Sequence, residues 1–308
     1  MVYNTILDAI GHTPMIKLNK IVPEDAAQVF VKYEGVNIGG SIKTRTAYNM
    51  IKRALEKGKV TKESVIVEPT SGNQGIGLAL VGAVLDLNVK IIMPDSVSEE
   101  RRKLIKNYGA EVILIHDDGD IGKCMEECIN LAKKMSEEDK NVFVPSQFDN
   151  PDNPKAHIYF TATEILEQVN CDIDGFCSGV GTGGTISGIG TVLKRQNPSI
   201  VIWAVEPADA AILSGGAVGT HLQMGIGDGL IPENLNTKIY DNICVISDKE
   251  AIDTARALAS EEGIMCGISS GTNVAAAIKL ARRLGKGKTV VTVLPDTGER
   301  YFSTALFE

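Results

Sequence analysis

The hydrophobic and polar positions between residues 65 and 144 alternate between short apolar runs and longer amphipathic stretches. Short runs rich in β-branched residues are typical of buried strands, whereas amphipathic stretches are typical of helices that cover a sheet. The pattern predicts strands at 65–67, 89–93, 112–115 and 142–144. It predicts helices after Asn73, Ser98 and Asp120, and Ser96 with Glu99 is typical of a capping box at the start of one of them.

The same alternation returns in the second half of the chain. It predicts strands at 176–180, 201–205 and 289–294, and helices near 158–168, 183–194, 249–262 and 272–284. Ser247 with Glu250 repeats the capping-box signal.

Two such series predict an α/β fold with two open, mostly parallel twisted sheets and helices on both faces. The proline-rich stretch 145–154 is the predicted junction, with one α/β domain at 1–148 and a second at 149–308. Part of the first 40 residues is expected to pack on the second domain. Ligands of such sheets bind in loops at the carboxyl ends of the strands, so function is expected in those loops.

Charge and hydropathy exclude several kinds of partner. The chain has 31 Lys and Arg against 39 Asp and Glu, a formal charge of −8, whereas nucleic-acid binding needs a basic face. The longest apolar run, 76–85, ends at Asp86 and is too short to span a membrane. We therefore expect neither a nucleic-acid partner nor a membrane partner.

The cysteines and histidines point to a cytoplasmic protein without a metal site. Six cysteines show no CxxC pair, and the N-terminus lacks an apolar signal-peptide core, which favours a reducing compartment. The histidines are scattered, and no His/Cys cluster has the spacing of zinc ligands. Cys124 and Cys128, one helical turn apart, are expected to be buried thiols.

Glycine, with 31 residues, is the one clear excess, and its richest loop is 178–185 (Ser-Gly-Val-Gly-Thr-Gly-Gly-Thr). Glycines let the backbone approach a ligand, and amides at the start of the following helix donate to an anion, so the loop predicts a phosphate cradle. A plain strand-to-helix turn would need one glycine, not four. Gly179, Gly181 and Gly184 also fit a dinucleotide fingerprint with Glu206 on the next strand end, so a nicotinamide enzyme stays an alternative.

A second loop, 68–77, also leaves a strand and enters a helix. Its hydroxyl and amide side chains, with exposed backbone donors, suit an anionic ligand group such as a carboxylate. Thr70 or Ser71 could instead cap the helix, which would explain one residue but not the cluster.

A third segment, 37–45, opens a predicted helix and places Lys43 in its first turn. A cation is disfavoured near the positive end of a helix, so the pKa of Lys43 is expected to fall. A deprotonated lysine can form a Schiff base with an aldehyde cofactor. The simpler alternative is a solvated surface lysine.

Together these loops resemble the fold-type II pyridoxal-phosphate enzymes, specifically the cysteine synthase and cystathionine β-synthase family. The resemblance runs from 10–14 (Ile-Gly-His-Thr-Pro) to 298–301 (Gly-Glu-Arg-Tyr) and covers nearly the full chain. The motifs keep the family's order, which is the lysine segment followed by 70–73, 147–154, 181–185 and 267–271. The dinucleotide alternative leaves four of these five motifs unexplained.

The resemblance implies a homodimer that binds pyridoxal 5′-phosphate, with Lys43 as the Schiff-base lysine that also moves the substrate α-proton. Asn73 would contact the ring hydroxyl, and Ser269 would face the pyridine nitrogen. A neutral hydroxyl there does not enforce a protonated ring, which implies β-elimination through an aminoacrylate. The residues implied for the cofactor phosphate are Gly181, Thr182, Gly183, Gly184 and Thr185, and those for the substrate α-carboxylate are Thr70, Ser71 and Gln147.

Four positions depart from the usual cysteine synthase pattern. Ile38 replaces a common proline and Thr44 an aspartate, both as scaffold changes, while Gln74 replaces a threonine and is expected to bring an amide to the carboxylate site. The fourth is Asp228, in 225–232 (Gly-Ile-Gly-Asp-Gly-Leu-Ile-Pro), where sulfhydrylases usually carry a small residue and cystathionine synthases a tyrosine.

Asp228 is expected to project toward the substrate β-carbon, where it would repel hydrosulfide but accept a proton from water. The resulting hypothesis is that L-cysteine loses sulfide and water adds, giving L-serine and hydrogen sulfide. The plainer interpretation is that Asp228 forms a turn among glycines. The alternative functions are an O-acetylserine sulfhydrylase, lanthionine or cystathionine formation and, from another class, an NAD-linked oxidoreductase.

Overall fold

A computed structural model describes residues 2–119 and 121–308. Its strands are β1 (Met15–Lys17), β2 (Gln28–Tyr33), β3 (Val65–Pro69), β4 (Asn88–Pro94), β5 (Glu111–Ile115), β6 (Val142–Phe143), β7 (Gly175–Gly179), β8 (Val201–Pro207), β9 (Asn242–Ile246) and β10 (Thr289–Leu294). Its α-helices are α1 (Lys43–Glu56), α2 (Asn73–Leu85), α3 (Glu99–Asn107), α4 (Ile121–Glu138), α5 (Asp152–Ala156), α6 (Ala162–Gln168), α7 (Gly184–Gln196), α8 (Asp248–Glu262) and α9 (Ile268–Leu284).

The strands form two sheets. The larger has the order β1-β2-β10-β7-β8-β9, and the smaller has the order β5-β4-β3-β6. Strand β1 pairs antiparallel with β2, while the other pairings are parallel. The α/β prediction with two mostly parallel sheets is confirmed.

Side chains that alternate along the strands build a core on each face of the larger sheet. In β10, Val290 and Leu294 pack with buried residues of α8 and α9, whereas Val291 and Val293 pack on the other face with residues of α6 and α7. Because successive side chains of a strand point to opposite faces, a fully buried strand needs helices on both sides. The apolar run of β10 meets that requirement.

The smaller sheet is covered in the same way. Ile91 and Met93 of β4 pack with α1, α2 and α3, while Ile92 packs with Cys128 and Ala132 of α4. Cys124 and Cys128 are buried free thiols, as predicted. Among the helices of the described residues, none is long and apolar enough to cross a membrane.

The predicted elements are present with small shifts, and one predicted cap is wrong. The capping residue of α3 is Ser98, not Ser96, and the Ser96 hydroxyl instead bonds the Asp117 carboxylate. The Ser247 cap is confirmed, since its side chain accepts the Glu250 N–H. Helix α4 follows Asp120, which itself lies outside the described residues, and α9 begins four residues before the predicted 272.

Three strands were not predicted, namely β1, β2 and β9. In the larger sheet β2 lies beside β10 and β1 lies beside β2, although both precede every strand of the smaller sheet in the chain. The domain division at 148 and 149 stays a prediction.

Candidate active site

Lys43 begins α1, and Ile42 before it offers no side-chain cap to the helix. Desolvation by burial lowers the pKa of Lys43, opposed by the negative charges of Asp228, Asp296 and Glu68. The expected direction of the shift is therefore present, with desolvation as its main cause. Asp228, Asp296 and Glu68 lie on three separate segments of the chain, so Lys43 marks the point where those segments meet.

The glycine loop before α7 is closely packed by its neighbours. Gly183 has a left-handed φ of 75° and precedes α7 without a side-chain cap, so the first amides of the helix are free to donate. A Cβ added at Gly184 would lie 2.1 Å from Asn153 Oδ1, and one at Gly181 would lie 2.3 Å from the Gly225 carbonyl oxygen. These close approaches explain the glycines, and the free amides suit an anion such as phosphate.

The two threonines of the loop contact residues that sequence reasoning did not assign. Asn153 Nδ2 donates to Thr182 Oγ1 (3.0 Å) and to the Gln147 carbonyl oxygen (2.7 Å), which joins the phosphate loop to the predicted carboxylate site. Thr185 Oγ1 lies 3.4 Å from His157 Nε2. Burial, with the positive charges of Arg45 and Lys43, lowers the pKa of His157 to about 3, so its ring is neutral.

The loop before α2 does not cap its helix with a hydroxyl. The capping position is Gly72, which has no side-chain cap, and Thr70 Oγ1 accepts the Gly72 N–H instead (3.2 Å). The capping alternative for Thr70 and Ser71 is therefore wrong. Thr70 is buried and Ser71 is half-buried.

Gln74 is buried at the contact between α1 and α2. Its side chain is 1% exposed, and its Oε1 accepts from the Thr46 hydroxyl at 2.8 Å, across the contact between α1 and α2. Among the described residues its Nε2 has no hydrogen-bond partner, so the role of this amide at the substrate carboxylate stays a prediction. Helix periodicity turns this second residue of α2 toward α1.

Asn73 is held by two residues near the C-terminus. Its Nδ2 donates to Asp296 Oδ2 at 2.7 Å, and its Oδ1 accepts from Arg300. Tyr301 also donates to Asp296 Oδ2 (2.9 Å). Arg300 and Tyr301 belong to the motif at 298–301 that closes the sequence resemblance, and that position was the signal for this network. Ser269 is buried in the first turn of α9.

Glu68, at the end of β3, fixes the turn that carries Gln147. Its two carboxylate oxygens accept the backbone N–H groups of Ser146 (2.9 Å) and Gln147 (3.0 Å). Ser146 adopts a left-handed φ of 56°, which is unusual for a residue other than glycine. Glu68 therefore connects the Thr70 loop to Gln147, a role that no motif in the sequence indicates.

The buried Glu68 makes stability depend on pH. Burial raises its pKa from 4.5 to about 7, and the two backbone hydrogen bonds and the Lys43 charge offset this only in part. A raised pKa means that the folded state holds the proton more tightly, so this stabilisation is complete below 4.5 and disappears as pH rises through 7. We expect the unfolding free energy of the wild type, measured against Glu68→Gln in urea, to fall by about 3 kcal/mol over that range. Glu137→Gln, at an exposed position of α4, serves as the control and is expected to show no such trend.

Asp228 lies beside the phosphate loop. Its Oδ2 is 3.3 Å from the position of a Cβ added at Gly181, and its charge acts on Lys43. Although Asp228 is exposed to solvent, the protein around it raises its pKa by desolvation, opposed mainly by the positive charge of Lys43. The carboxylate is thus suited to accept a proton near the Lys43 amine.

Glu206 is not available to a dinucleotide. Its carboxylate accepts the backbone N–H groups of Leu213 (2.8 Å) and Ser214 (3.0 Å) and bonds the Ser214 hydroxyl. The side chain is 2% exposed. It fixes its own loop, so the carboxylate that the nicotinamide alternative needs for a ribose is already in use.

The residues present fit a phosphorylated aldehyde. A desolvated lysine amine supplies the group that bonds an aldehyde, and a glycine loop with free helix amides supplies the anion site. Asn73 and Ser269 each lie in the first turn of a helix, and their contact with the cofactor ring stays a prediction.

Comparison with known proteins agrees with this chemistry. Residues 6–296 match the family described as pyridoxal-phosphate dependent enzyme. A cysteine synthase of Staphylococcus aureus is 48% identical over 305 residues, which cover 99% of this chain and 97% of that protein.

Two crystal structures share the whole fold. A hydrogen sulfide-producing enzyme from Fusobacterium nucleatum has a TM-score of 0.92 and 42% identity, over 97% of this chain and 100% of that chain. An O-ureido-L-serine synthase has a TM-score of 0.94 and 39% identity, over 100% of this chain and 96% of that chain.

Proposed function

The chain belongs to the pyridoxal-phosphate-dependent enzymes of the cysteine synthase family, and from this premise we propose that it converts L-cysteine and water into L-serine and hydrogen sulfide. The coarser activity, β-replacement on an amino acid, follows from the family itself. The direction and the nucleophile are the proposal. The net reaction breaks the Cβ–S bond, forms a Cβ–O bond and leaves both protons of water accounted for, one on serine oxygen and one on sulfide.

When bound, pyridoxal 5′-phosphate supplies an electron sink for negative charge at the substrate α-carbon. The residues that would hold it are Lys43, the glycine loop 181–185, Asn73 and Ser269. Lys43 Nζ, once free, takes the α-proton, and its lowered pKa makes the neutral amine accessible for that step. The substrate α-carboxylate is bound by Thr70, Ser71 and Gln147. Glu68 keeps Gln147 in place by accepting the backbone N–H of Gln147.

Asp228 makes water, rather than hydrosulfide, the nucleophile. A carboxylate at the edge of the phosphate loop repels a hydrosulfide anion and accepts a proton from water, and its raised pKa matches that task. With the cofactor bound, the β-carbon that has lost sulfide would be open to water, and Asp228 would take the proton from the water that adds there. The hydrogen sulfide-producing relative supports sulfide as a product.

We expect Asp228→Asn to lower the yield of L-serine from L-cysteine by on the order of 10²-fold, because asparagine is the same size but cannot accept the proton. Sulfide release, which precedes water addition, changes much less. The measurement is simultaneous quantification of sulfide, serine and pyruvate with purified enzyme. Asp209→Asn, at another acidic position of the same half of the chain, is the matched control. Unchanged serine formation in Asp228→Asn would show that Asp228 does not activate water.

A second candidate is cysteine synthesis from O-acetylserine and sulfide, because the S. aureus relative at 48% identity is a cysteine synthase. Lanthionine or cystathionine would form if a thiol replaced water as the nucleophile. A substrate screen separates these reactions. Cysteine, serine and O-acetylserine are each paired with water, sulfide and homocysteine, and a higher rate with O-acetylserine and sulfide would favour the second candidate.

The assembly and location are part of the same proposal. A homodimer follows the family resemblance, and sedimentation of the holoenzyme at several concentrations tests it. A cytoplasmic location is supported by six free cysteines, five of them buried.

A further inference from the structure

The segment 221–223 is anchored through Gln223, which lies between the larger sheet and the helices α8 and α9. Gln223 is fully buried, its Nε2 donates to the Ile246 carbonyl oxygen (3.0 Å) and to Asp248 Oδ1 (2.8 Å), and its Oε1 accepts from Thr272 Oγ1 (2.8 Å). Both amide hydrogens and the amide oxygen are therefore used. Gln223 is therefore a fixed point of the structure. Its partner Thr272 belongs to α9 and lies three residues after Ser269.

His221 links this fixed point to the loop of Asp228. Its Nδ1 accepts the Gln223 backbone N–H (3.1 Å), and its Nε2 lies 3.1 Å from the Gly227 carbonyl oxygen. A backbone N–H can only donate and a carbonyl can only accept, so both bonds form only when Nδ1 is bare and Nε2 carries the proton. The contacts select one neutral tautomer of His221.

The Gly227 residue is held from both ends. Its N–H donates to the Val180 carbonyl oxygen (2.9 Å) at the end of β7, and its own carbonyl receives the His221 bond. Its φ of 68° is left-handed, and an added Cβ would lie 2.7 Å from Pro207 Cγ and 2.9 Å from His221 Nε2. Only glycine fits between these neighbours without strain.

The Gly227 carbonyl and the Asp228 N–H belong to one planar peptide. A hydrogen bond to that carbonyl therefore sets the plane from which the Asp228 side chain projects. The next contact outward is Asp228 Oδ2 near Gly181. The path from buried Gln223 through the His221 ring to the carboxylate is continuous.

We propose that His221, donating from Nε2 to the Gly227 carbonyl, is a positioning residue that aims the Asp228 carboxylate at the water it activates. This inference rests on the proposed function, in which Asp228 chooses water as the nucleophile. His221 acts through the Gly227–Asp228 peptide, whose carbonyl it bonds. A displacement of about 1 Å at a reacting group can cost about 10²-fold in rate, so loss of this bond has a measurable consequence.

Two substitutions distinguish loss of the hydrogen-bond donor to Gly227 from loss of the His221 imidazole ring. His221→Gln keeps an N–H near the Nε2 position and can still reach the Gly227 carbonyl. His221→Asn keeps an acceptor near the Nδ1 position for the Gln223 N–H but is too short to reach Gly227. We expect His221→Asn to lower the ratio of serine to pyruvate by about 10- to 100-fold, while His221→Gln stays within about threefold of the wild type. Pyruvate, with ammonia, forms when the unsaturated product leaves and takes up water in solution.

The double variant His221→Asn with Asp228→Asn tests whether His221 acts through Asp228. If His221 acts through Asp228, adding His221→Asn to Asp228→Asn changes the product ratio little further, whereas independent effects would multiply. Multiplying effects, or equal ratios in His221→Asn and His221→Gln, would overturn the proposal. Failure of the proposed function is distinct, because Asp228→Asn alone would then leave serine formation intact. If His221→Asn does not fold, His221→Leu removes the same donor and has the same expected result.

A readout that needs no turnover tests the tautomer. The chain has four histidines, so ¹⁵N labelling of histidine and loss of one signal in His221→Gln assign His221 in the NMR spectrum. We expect ring nitrogen shifts of a neutral imidazole protonated at Nε2. A ring protonated at Nδ1 would break the Gln223 bond and contradict the inference.

Discussion

Replacing Lys43 with alanine is expected to remove both covalent cofactor attachment and turnover. Lys43 lies in the first turn of α1, and its desolvated amine faces Asp228, Asp296 and Glu68. The same nitrogen would bond the cofactor aldehyde and carry the α-proton, so its loss removes two functions at once. We expect the rate of sulfide release from cysteine to fall by on the order of 10³-fold or more.

The measurement combines kinetics with the visible spectrum of the bound cofactor before and after borohydride. The wild type is expected to retain the reduced cofactor after denaturation, whereas Lys43→Ala releases it. Lys52→Ala is the matched control, because Lys52 lies on the same helix but is exposed. A borohydride-stable adduct in Lys43→Ala would mean that another amine holds the cofactor.

Much of the fold was predictable because parallel strands buried on both faces give strong local signals. The run that became β10 was predicted with its observed bounds, 289–294. Strand β2 was missed although it pairs along the full length of β10. Its buried Lys32 interrupts the apolar pattern, and that lysine is satisfied by Glu164, far away in sequence. A partner that only the tertiary structure supplies leaves no trace in a local pattern.

The site shows the same limit. A cluster of glycines can be read directly from a sequence, and it indicates a backbone that is left-handed or closely packed. The loop at 181–185 was predicted for this reason. The bond between Gln74 and Thr46 was not predicted, because proximity in a motif does not fix the direction of a side chain on a helix. Glu68, Asn153 and His221 were not assigned, since each bonds a backbone group that only the folded chain brings to it. Glu68 accepts from Ser146, 78 residues away, whereas Asn153 and His221 bond carbonyl oxygens six residues away across the fold of a loop. Such contacts are set by topology rather than by spacing.

The helix that begins with Lys43 is fixed by a buried cluster of charges two residues further on. Arg45 bonds Glu34 through Nε (2.9 Å) and Glu164 through Nη1 (2.6 Å), and Lys32 Nζ lies 2.7 Å from Glu164. Burial alone would raise the pKa of Glu164, but bonds and charges from Arg45 and then Lys32 outweigh it and hold the pKa at about 2. The cluster ties β2, α1 and α6 together.

Removing Arg45 from this cluster is expected to destabilise the protein strongly. In Arg45→Met the side chain keeps its bulk, but Glu34 and Glu164 stay buried with one cation, Lys32, between them. Breaking a buried ion pair on one side leaves an uncompensated charge, for which we expect a loss of about 3 to 5 kcal/mol in unfolding free energy. Urea unfolding of wild type and variant under identical conditions measures it.

An exposed ion pair on the same helix provides the control for the loss expected in Arg45→Met. Arg53 contacts Glu56 at 2.6 Å, a distance as short as that between Arg45 and Glu164, but both partners are well exposed. Solvent screens such an exposed pair, so Arg53→Met is expected to unfold close to the wild type. Equal losses in the two variants would mean that burial of the cluster does not determine its contribution. A loss confined to Arg45→Met would identify the buried charges as the anchor that holds the first turn of α1, and Lys43 with it, against the larger sheet.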